Sequence, residues 1–310
     1  MIVTVTLNPA VDETLTVDRV ELGETNRIKE THFDPGGKGL NVARVIRRLG
    51  RPTVAIALVG GETGHFVRNR LEREGVETDL VEIAADTRVN ISVLDESTGV
   101  QTNLNHEGPN VTPADLHALE AKIEEWLPEA VLMVLGGSLP PGAPFDSYAR
   151  IIGWARENDI RSILDTSNEA LIEGVKAQPY MIKPNVRETE GLLGRKLESD
   201  GDMVEAAFEL VGRGIEVVVV SMGGRGAIAV SHDGAWKAVP PEVSKESTLG
   251  AGDSMVAGLA VGVSEHSGLP ESLALGTAAA TGTIMRPGTE LCRAEDVQEL
   301  LPRVRVERVR

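Results

Sequence analysis

The sequence predicts an α/β protein with a doubly wound, mostly parallel sheet, helices on both faces and a small lid of β-strands. Short apolar runs alternate with longer stretches of helical periodicity, which is the pattern of repeated strand and helix units. Glycine-rich motifs follow several of the apolar runs, and in such sheets ligands bind beyond the carboxyl ends of the strands. We therefore expect one domain over residues 1–310, with a ligand site at that rim of the sheet.

The strands and helices of the sheet follow in a regular order. Residues 3–7 form a β-branched run that ends at Asn8 and Pro9, because proline removes a backbone donor. Further strands are predicted at 54–60, 131–137, 161–165, 180–182 and 217–221, and helices at 40–49, 63–74, 113–126, 147–158 and 203–213. Small residues at 256–262 and 275–281 predict two more helices. Residues 303–310 are interpreted as an edge strand or a tail.

The lid is predicted from strand-like runs that do not fit the alternation with helices. Residues 17–29 alternate imperfectly, and residues 89–94 and 101–105 are further runs of this kind. We expect the lid strands to be inserted at about 12–34 and 88–107. Asp12 is predicted on the loop that follows the first strand.

Composition limits the classes of function. The hydrophobic fraction is 41%, and no apolar run approaches the roughly 20 residues that span a bilayer. Residues 2–7 are typical of a buried strand and not of a signal peptide, so we expect a cytoplasmic protein with no membrane partner. The net charge of −16 argues against a nucleic-acid partner. Only 8 of the 31 basic residues are lysines, so arginines should dominate phosphate contacts. The single cysteine, Cys292, cannot form an internal disulfide.

Residues 247–255 (STLGAGDSM) carry the strongest chemical signal. Gly250, Ala251 and Gly252 can present backbone N–H groups to one anion at the start of a helix, where the helix dipole is positive. Asp253 lies in the same turn, and a carboxylate beside an anion site suggests a base that takes a proton from a nucleophile. The alternative is that Asp253 only caps the helix. The combination of an anion site and a base predicts phosphoryl transfer.

Three further motifs favour the phosphoryl-transfer interpretation. Residues 34–43 (DPGGKGLNVA), 183–188 (KPNVRE), 221–227 (SMGGRGA) and 247–255 occur in this order, and together they resemble the signatures of the PfkB group of ribokinase-like sugar kinases. The resemblance extends from residues 4–12 to residues 288–292. Within the group the chain is most similar to the phosphofructokinase and tagatose-6-phosphate kinase branch. The resemblance implies a ribokinase-like fold, an ATP-dependent kinase and a sugar-phosphate substrate.

The resemblance also implies roles for individual residues. Asp253 would be the base, and the Gly250, Ala251 and Gly252 amides would stabilise the transferred phosphoryl group. The sugar phosphate would be bound by the rim and the lid, through Asp12, Arg27, Gly36, Gly37, Lys38, Asn41, Arg88 and Ser138. Arg27, Lys38 and Arg88 are the candidates for a cationic grip on its phosphate.

The nucleotide and ion sites are implied in the same way. ATP would contact Lys183, Asn185, Ser221, Gly223, Gly226 and Ser247, with adenine near the small residues of 275–281. Asn185 and Glu188 would hold Mg²⁺, mainly through water. Main-chain oxygens of Ser247, Leu249, Arg286 and Gly288 match the region where relatives bind a monovalent cation such as K⁺. In related kinases the lid often pairs with a second subunit, which implies a homodimer.

The substrate stays open between isomers. Residues 34–37 and 288–292 are similar to the minor bacterial 6-phosphofructokinases, which favours fructose 6-phosphate, whereas residues 7–12 and 23–27 equally resemble 1-phosphofructokinases. Residues 105–109 look like a variant of a loop in those enzymes and in tagatose-6-phosphate kinases. Two other hypotheses are a non-catalytic sugar or nucleotide sensor on the same fold and a nucleoside or ribose kinase. The presence of Asp253 disfavours the sensor, and Arg27 and Arg88 disfavour the neutral substrates.

Overall fold

The computed structural model describes all residues, 1–310, and contains fourteen strands and ten α-helices. The strands are β1 (Ile2–Thr6), β2 (Ala10–Val17), β3 (Ile28–Gly36), β4 (Thr53–Val59), β5 (Glu77–Glu82), β6 (Arg88–Asp95), β7 (Val100–Leu104), β8 (Leu132–Gly136), β9 (Arg161–Asp165), β10 (Met181–Ile182), β11 (Val217–Ser221), β12 (Ala227–Ser231), β13 (Gly234–Val239) and β14 (Arg305–Arg308). The helices are α1 (Lys38–Arg48), α2 (Gly61–Arg73), α3 (Pro113–Trp126), α4 (Ser147–Glu157), α5 (Asn168–Lys176), α6 (Val186–Leu193), α7 (Asp200–Val211), α8 (Ala251–Ser264), α9 (Leu269–Ile284) and α10 (Ala294–Leu300).

Ten strands form the large sheet in the order β14-β13-β12-β11-β10-β9-β8-β1-β4-β5. All neighbours from β5 to β11 run parallel, and β12, β13 and β14 continue the sheet in antiparallel pairs. The prediction of a mostly parallel α/β sheet is therefore confirmed. The charged C-terminal segment is the edge strand β14, where the exposed side chains of Arg305, Glu307 and Arg308 discourage pairing with a further strand.

Helices cover both faces of this sheet. Because successive strand residues point to opposite faces, each central strand contributes side chains to two cores. Val3 and Val5 of β1 pack in a core of 38 buried residues that includes side chains of α3, α4 and α7. Ile2 of the same strand packs in a second core of 27 buried residues with α1, α8 and α9. No helix is both long enough and apolar enough to cross a bilayer.

The lid is a separate four-stranded sheet in the order β3-β2-β6-β7. Its central pair, β2 and β6, is parallel, and the two outer pairs are antiparallel. Two predictions in this region are wrong. Asp12 lies within β2 and not on a loop, and residues 18–27 form a loop and not a strand. The loop is turned by Asn26, whose side chain exchanges hydrogen bonds with the backbone of Glu21 at 2.8 and 3.0 Å.

Candidate functional site

A cavity of about 980 Å³ lies between the lid and the rim of the large sheet. Nine residues singled out from the sequence line it: Asp12, Gly37, Lys38, Asn41, Arg88, Ser138, Leu249, Gly250 and Asp253. They come from β2, β6, α1 and its N-cap, α8, and the segments after β8 and before α8. The fold therefore gathers residues from both ends of the chain at one site. The other predicted site residues lie outside the lining of this cavity.

The glycine-rich turn before α8 forms one wall of the cavity. Gly250 has a φ of 72°, in the left-handed region, and a Cβ there would lie 2.5 Å from the Leu291 side chain. The N–H groups of Gly250, Gly252 and Asp253 donate no hydrogen bond within the protein. Ala251 N–H makes only a long one, 3.5 Å, to Thr248 O. These free donors at a helix N-terminus can bind an anion, as the sequence predicts.

Asp253 is the third residue of α8 and is buried at the floor of the cavity. Its Oδ2 accepts a hydrogen bond of 2.8 Å from Asn41 Nδ2 on α1. Its side chain makes no capping bond to the helix. Burial raises the pKa of Asp253 to about 6, although Lys38 and the Asn41 hydrogen bond act in the opposite direction. The carboxylate is therefore ionised at neutral pH but basic enough to accept a proton.

Two lysines converge next to Asp253 on a third carboxylate that the sequence analysis did not single out. Lys38 Nζ and Lys183 Nζ lie 2.9 and 3.4 Å from Asp165 Oδ1 at the end of β9. Burial alone would raise the pKa of Asp165, but the two lysines lower it below its usual value. Its other oxygen, Oδ2, is buried without a hydrogen-bond partner. Asp165 could have been identified from the sequence, because it is an aspartate at the carboxyl end of a buried strand, where ligands bind in such sheets.

Lys183 also reaches the glycine-rich turn. A Cβ placed on Gly252 would lie 3.6 Å from Lys183 Nζ, so the ammonium group lies next to Gly252 in the glycine-rich turn. The lysine is buried and thus weakly screened by water. The structure therefore brings Lys183 and Gly252 to the anion site although neither lines the large cavity.

Asp12 faces the cavity from the lid. Its Oδ1 accepts a hydrogen bond of 2.9 Å from Asn90 Nδ2 on β6, and burial raises its pKa. A Cβ on Gly36 would lie 2.2 Å from Asp12 Oδ2, so Gly36 is needed to make room for this carboxylate. Gly37 lines the cavity itself and has a φ of 107° at the start of α1.

Arg88 joins three segments around the cavity. Its guanidinium donates to Asn8 O at 3.0 Å, Pro9 O at 3.3 Å and His106 O at 2.6 Å. It also lies 3.4 Å from Ser138 Oγ. Arg88 therefore holds loops of the lid and the large sheet together while presenting a charge to the cavity. Arg27, by contrast, is exposed on the loop between β2 and β3 and outside the cavity, so only two of the three predicted phosphate-binding cations, Lys38 and Arg88, line it.

Asn185 and Glu188 form a capping box at the start of α6. Asn185 Oδ1 accepts from Glu188 N at 2.9 Å, and Glu188 Oε2 accepts from Asn185 N at 2.8 Å. Both residues also line a second cavity, of about 460 Å³, which adjoins the first at Ser167. Glu188 Oε1 makes no hydrogen bond or salt bridge, so an oxygen ligand is available there. No group of three or more His, Cys, Asp or Glu side chains is arranged to enclose a metal ion.

Three further predicted nucleotide contacts, Ser221, Gly223 and Gly226, lie around the end of β11, whereas Ser247 lies in the segment before α8. Ser221 pairs with Asn185 through an isolated bridge, which places the two motifs side by side. Gly223 has open space where a side chain would be. Gly226 is different, because a Cβ there would lie 1.9 Å from Ala238 O, so strand packing explains this glycine.

Four main-chain oxygens predicted to bind a monovalent cation accept no hydrogen bond in the structure: those of Ser247, Leu249, Arg286 and Gly288. The two segments that carry them are neighbours, because Glu246 N and Ser247 N donate to Ile284 O at 2.8 and 3.3 Å. The Arg286 side chain points to Asp296 and pairs with it. Free carbonyl oxygens on adjacent loops fit a cation bound by the main chain.

Sequence reasoning missed several polar residues of the cavity. Asn90, Asn103, Asn105, His106 and Thr289 all line it. Asn90 and Asn103 lie on lid strands, where a polar residue ordinarily faces solvent and carries no signal. Only the position of the lid over the rim turns these side chains into candidate ligands for hydroxyl groups.

Comparison with known proteins identifies the family. The family of pfkB carbohydrate kinases matches residues 5–296. The chain is 36% identical over 309 residues to 1-phosphofructokinase of Bacillus subtilis, covering 100% of both chains. It is also 36% identical over 298 residues to ATP-dependent 6-phosphofructokinase isozyme 2 of Mycobacterium tuberculosis, covering 96% of this chain and 88% of that one.

A solved structure of a relative has the same fold. Phosphofructokinase-2 of Escherichia coli in complex with substrates and products superimposes with a TM-score of 0.94 at 34% identity, covering 97% of this chain and 98% of that one. Other structures of that enzyme hold potassium or fructose 6-phosphate, and one is a tetrameric inhibited form. The expected ribokinase-like fold is thus confirmed. The chain belongs to the pfkB family of carbohydrate kinases, enzymes that transfer a phosphoryl group from ATP.

Proposed function

We propose that the chain is an ATP-dependent phosphofructokinase, which transfers the γ-phosphoryl group of ATP to a hydroxyl of a ketohexose phosphate. The observation that carries the proposal is the placement of Asp253. It is buried between free backbone N–H groups and a cavity lined by polar side chains and two cations, Lys38 and Arg88. This arrangement suits a phosphorylated sugar whose reacting hydroxyl points at a base.

The residues divide the chemistry between them. Asp253 accepts the proton of the attacking hydroxyl, which becomes the new phosphate ester oxygen as the bond between the γ-phosphorus and ADP breaks. The N–H groups of Gly250, Ala251 and Gly252 stabilise the negative charge on the transferred group, and Lys183 adds a positive charge next to Gly252. Asp12 and Asn41 orient the sugar through its hydroxyl groups.

Two ions complete the proposal. Mg²⁺ would neutralise charge on the nucleotide phosphates, and Asn185 and Glu188 would hold it through water, since Glu188 Oε1 is free while Oε2 caps α6. K⁺ would be held by the main-chain oxygens of the two loops described above. The potassium complex of the Escherichia coli relative supports that assignment.

The acceptor isomer is fructose 6-phosphate in the favoured hypothesis and fructose 1-phosphate in the alternative. The two differ in which end of the ketose carries the phosphate and which end carries the reacting hydroxyl. Identity does not separate them, because a 1-phosphofructokinase and a 6-phosphofructokinase are both 36% identical to the chain. Tagatose 6-phosphate is a third acceptor of the same chemistry.

A coupled assay of ADP release tests the proposal. The panel contains fructose 6-phosphate, fructose 1-phosphate, tagatose 6-phosphate, fructose and ribose, each with and without Mg²⁺ and K⁺. We expect kcat/KM for one ketohexose phosphate to exceed that for fructose and ribose by orders of magnitude, because the neutral sugars lack the phosphate that Arg88 and Lys38 attract. Equal rates with fructose, or no phosphorylation of any sugar phosphate, would contradict the proposal.

A cytoplasmic location stays a prediction.

A further inference from the structure

Arg44 on α1 is a buried charge that lies outside the cavity yet connects to the base. Its side chain is 2% exposed. Nε and Nη2 form a bidentate pair with Glu74 at 3.0 and 2.8 Å, and Nη1 donates to Pro35 O at 3.0 Å. Nη1 also donates to Asn41 Oδ1 at 3.3 Å. Burying an arginine so completely is costly, and here every nitrogen of its guanidinium is used.

The hydrogen bond from Arg44 decides which way the Asn41 carboxamide points. An amide side chain can be turned over with little change in shape, exchanging its oxygen and nitrogen. Arginine only donates, so the atom facing Arg44 must be the oxygen. The NH₂ group of Asn41 then faces Asp253 Oδ2 at 2.8 Å. A flipped amide would place donor against donor at Arg44 and oxygen against carboxylate at Asp253.

We propose that Arg44 is a positioning residue for phosphoryl transfer, which fixes the Asn41 carboxamide so that its N–H group orients the Asp253 carboxylate toward the acceptor hydroxyl. The proposal rests on the assignment of Asp253 as the base. Arg44 itself contacts neither substrate. It acts indirectly, through its hydrogen bond to Asn41, and the salt bridge to Glu74 holds it in place.

A second arginine that pairs with Glu74, Arg48, provides a matched control. Arg48, one turn further along α1, pairs with Glu74 Oε2 at 3.1 Å and donates to Leu291 O at 2.7 Å, but it does not contact Asn41. Arg44→Lys and Arg48→Lys therefore make the same chemical change on the same helix and beside the same carboxylate. A lysine at position 44 can pair with Glu74, but its single ammonium group cannot span Glu74, Pro35 O and Asn41 Oδ1 as the guanidinium does.

The test is a double-mutant cycle on kcat with saturating ATP and sugar phosphate. We expect Arg44→Lys to lower kcat by roughly 10- to 100-fold, because a misaligned base loses that much, while KM for ATP is unchanged. In the Asn41→Ala background the same substitution should have no further effect, because the contact through which it acts is gone. Equal losses in both backgrounds would overturn the proposal and assign Arg44 to stability alone.

The pH profile gives a second readout. The Asn41 hydrogen bond favours the ionised carboxylate, so freeing the amide should move the acidic limb of kcat to higher pH in Arg44→Lys and leave it in place in Arg48→Lys. The charged groups that face Asp253, namely Lys38, Asp165 and Lys183, are the same in both variants. An unshifted limb in Arg44→Lys would contradict the proposal. If Arg44→Lys does not fold, Glu74→Gln replaces it, because the loss of the Glu74 carboxylate loosens Arg44. The acidic limb of its kcat profile should then move to higher pH, and an unshifted limb would contradict the proposal.

Asp253→Asn in the same assay separates the two proposals. If that variant keeps its kcat, the assignment of the base has failed, and the role of Arg44 fails with it. If Asp253→Asn is inactive and Arg44→Lys matches wild type in kcat and pH profile, only the role of Arg44 is refuted.

Discussion

At the scale of single residues, the proposed role of Asp253 as the base, together with its burial, predicts that activity depends on pH near neutrality. Its pKa is raised to about 6, mainly by burial, so the base is lost by protonation as pH falls. We expect kcat at saturating substrates to fall about tenfold per pH unit on the acid side, with the limb at or above pH 6, because a neighbouring phosphoryl group raises the pKa further. A kcat that stays constant down to about pH 5 would contradict this account of the base.

In our proposal, Arg88 is the residue that distinguishes a sugar phosphate from a neutral sugar. We expect Arg88→Ala to raise KM for the sugar phosphate by at least roughly 30-fold, equivalent to about 2 kcal/mol, while KM for ATP changes little. The melting temperature should also fall, because three carbonyl groups lose their donor. Arg19→Ala, on the exposed lid loop, is the control. Equal increases in both KM values would assign Arg88 to the fold alone.

At the scale of elements, the small residues of α9 have a structural explanation. The family resemblance implied an adenine site beside residues 275–281, and in the structure Gly276 packs against α8. A Cβ on Gly258 would lie 2.6 Å from Gly276 Cα, so the two helices touch through their backbones. This contact fixes the position of α8, whose N-terminal end holds the glycine-rich turn and Asp253.

We therefore expect Gly258→Ala to destabilise the protein by about 1–3 kcal/mol, because the added methyl group forces the helices apart. Gly153→Ala in α4 is the matched control, since no atom lies within 4 Å of the place its Cβ would take and alanine favours a helix by roughly 0.5–1 kcal/mol. Denaturant unfolding measures both. If Gly258→Ala were as stable as wild type, the close helix contact would be wrong.

The sequence predicted elements well where a local rule decides them. α3 begins at Pro113 as predicted, because Thr112 and Asp115 form a capping box around it. The strand assignment failed at Asp12 and at residues 18–27, because the lid strands have one open face and so lack a strong apolar pattern. Local rules also do not explain Gly36, because this glycine is needed to make room for the Asp12 carboxylate on another strand.

At the scale of the whole molecule, the fold class followed from the alternation of strands and helices, whereas the site required the strand order. The closeness of Asp253 to the glycine-rich turn was predictable because one motif contains both. Asp165 and Asn90 were not, because their significance comes from β9 lying beside β10 and from the lid lying over the rim. Contacts between distant segments leave no local mark in one sequence.

The lid also determines our expectation for assembly. Leu22, Ile28, Phe33, Val100 and Leu104 are large apolar side chains exposed on the lid. Such a patch is costly in water, and we propose that two lids pair to form a homodimer. Light scattering should give twice the 33.1 kDa chain mass, and Phe33→Glu should shift it toward the monomer. A wild-type monomer at micromolar concentration in the presence of substrate would exclude this arrangement.

The most direct test of the account is the kcat of Asp253→Asn, measured together with ATP affinity and melting temperature. We expect kcat to fall by about 10²–10⁴, because asparagine cannot accept the hydroxyl proton, while ATP binds as well or slightly more tightly. Because folding raises the pKa of Asp253 from 3.8 to about 6, its ionisation lowers the stability of the fold progressively between about pH 4 and pH 6 and fully above that. At about pH 8 the variant should therefore melt at or above the wild-type temperature, and this difference should vanish near pH 4. A folded variant with wild-type kcat would contradict the central claim.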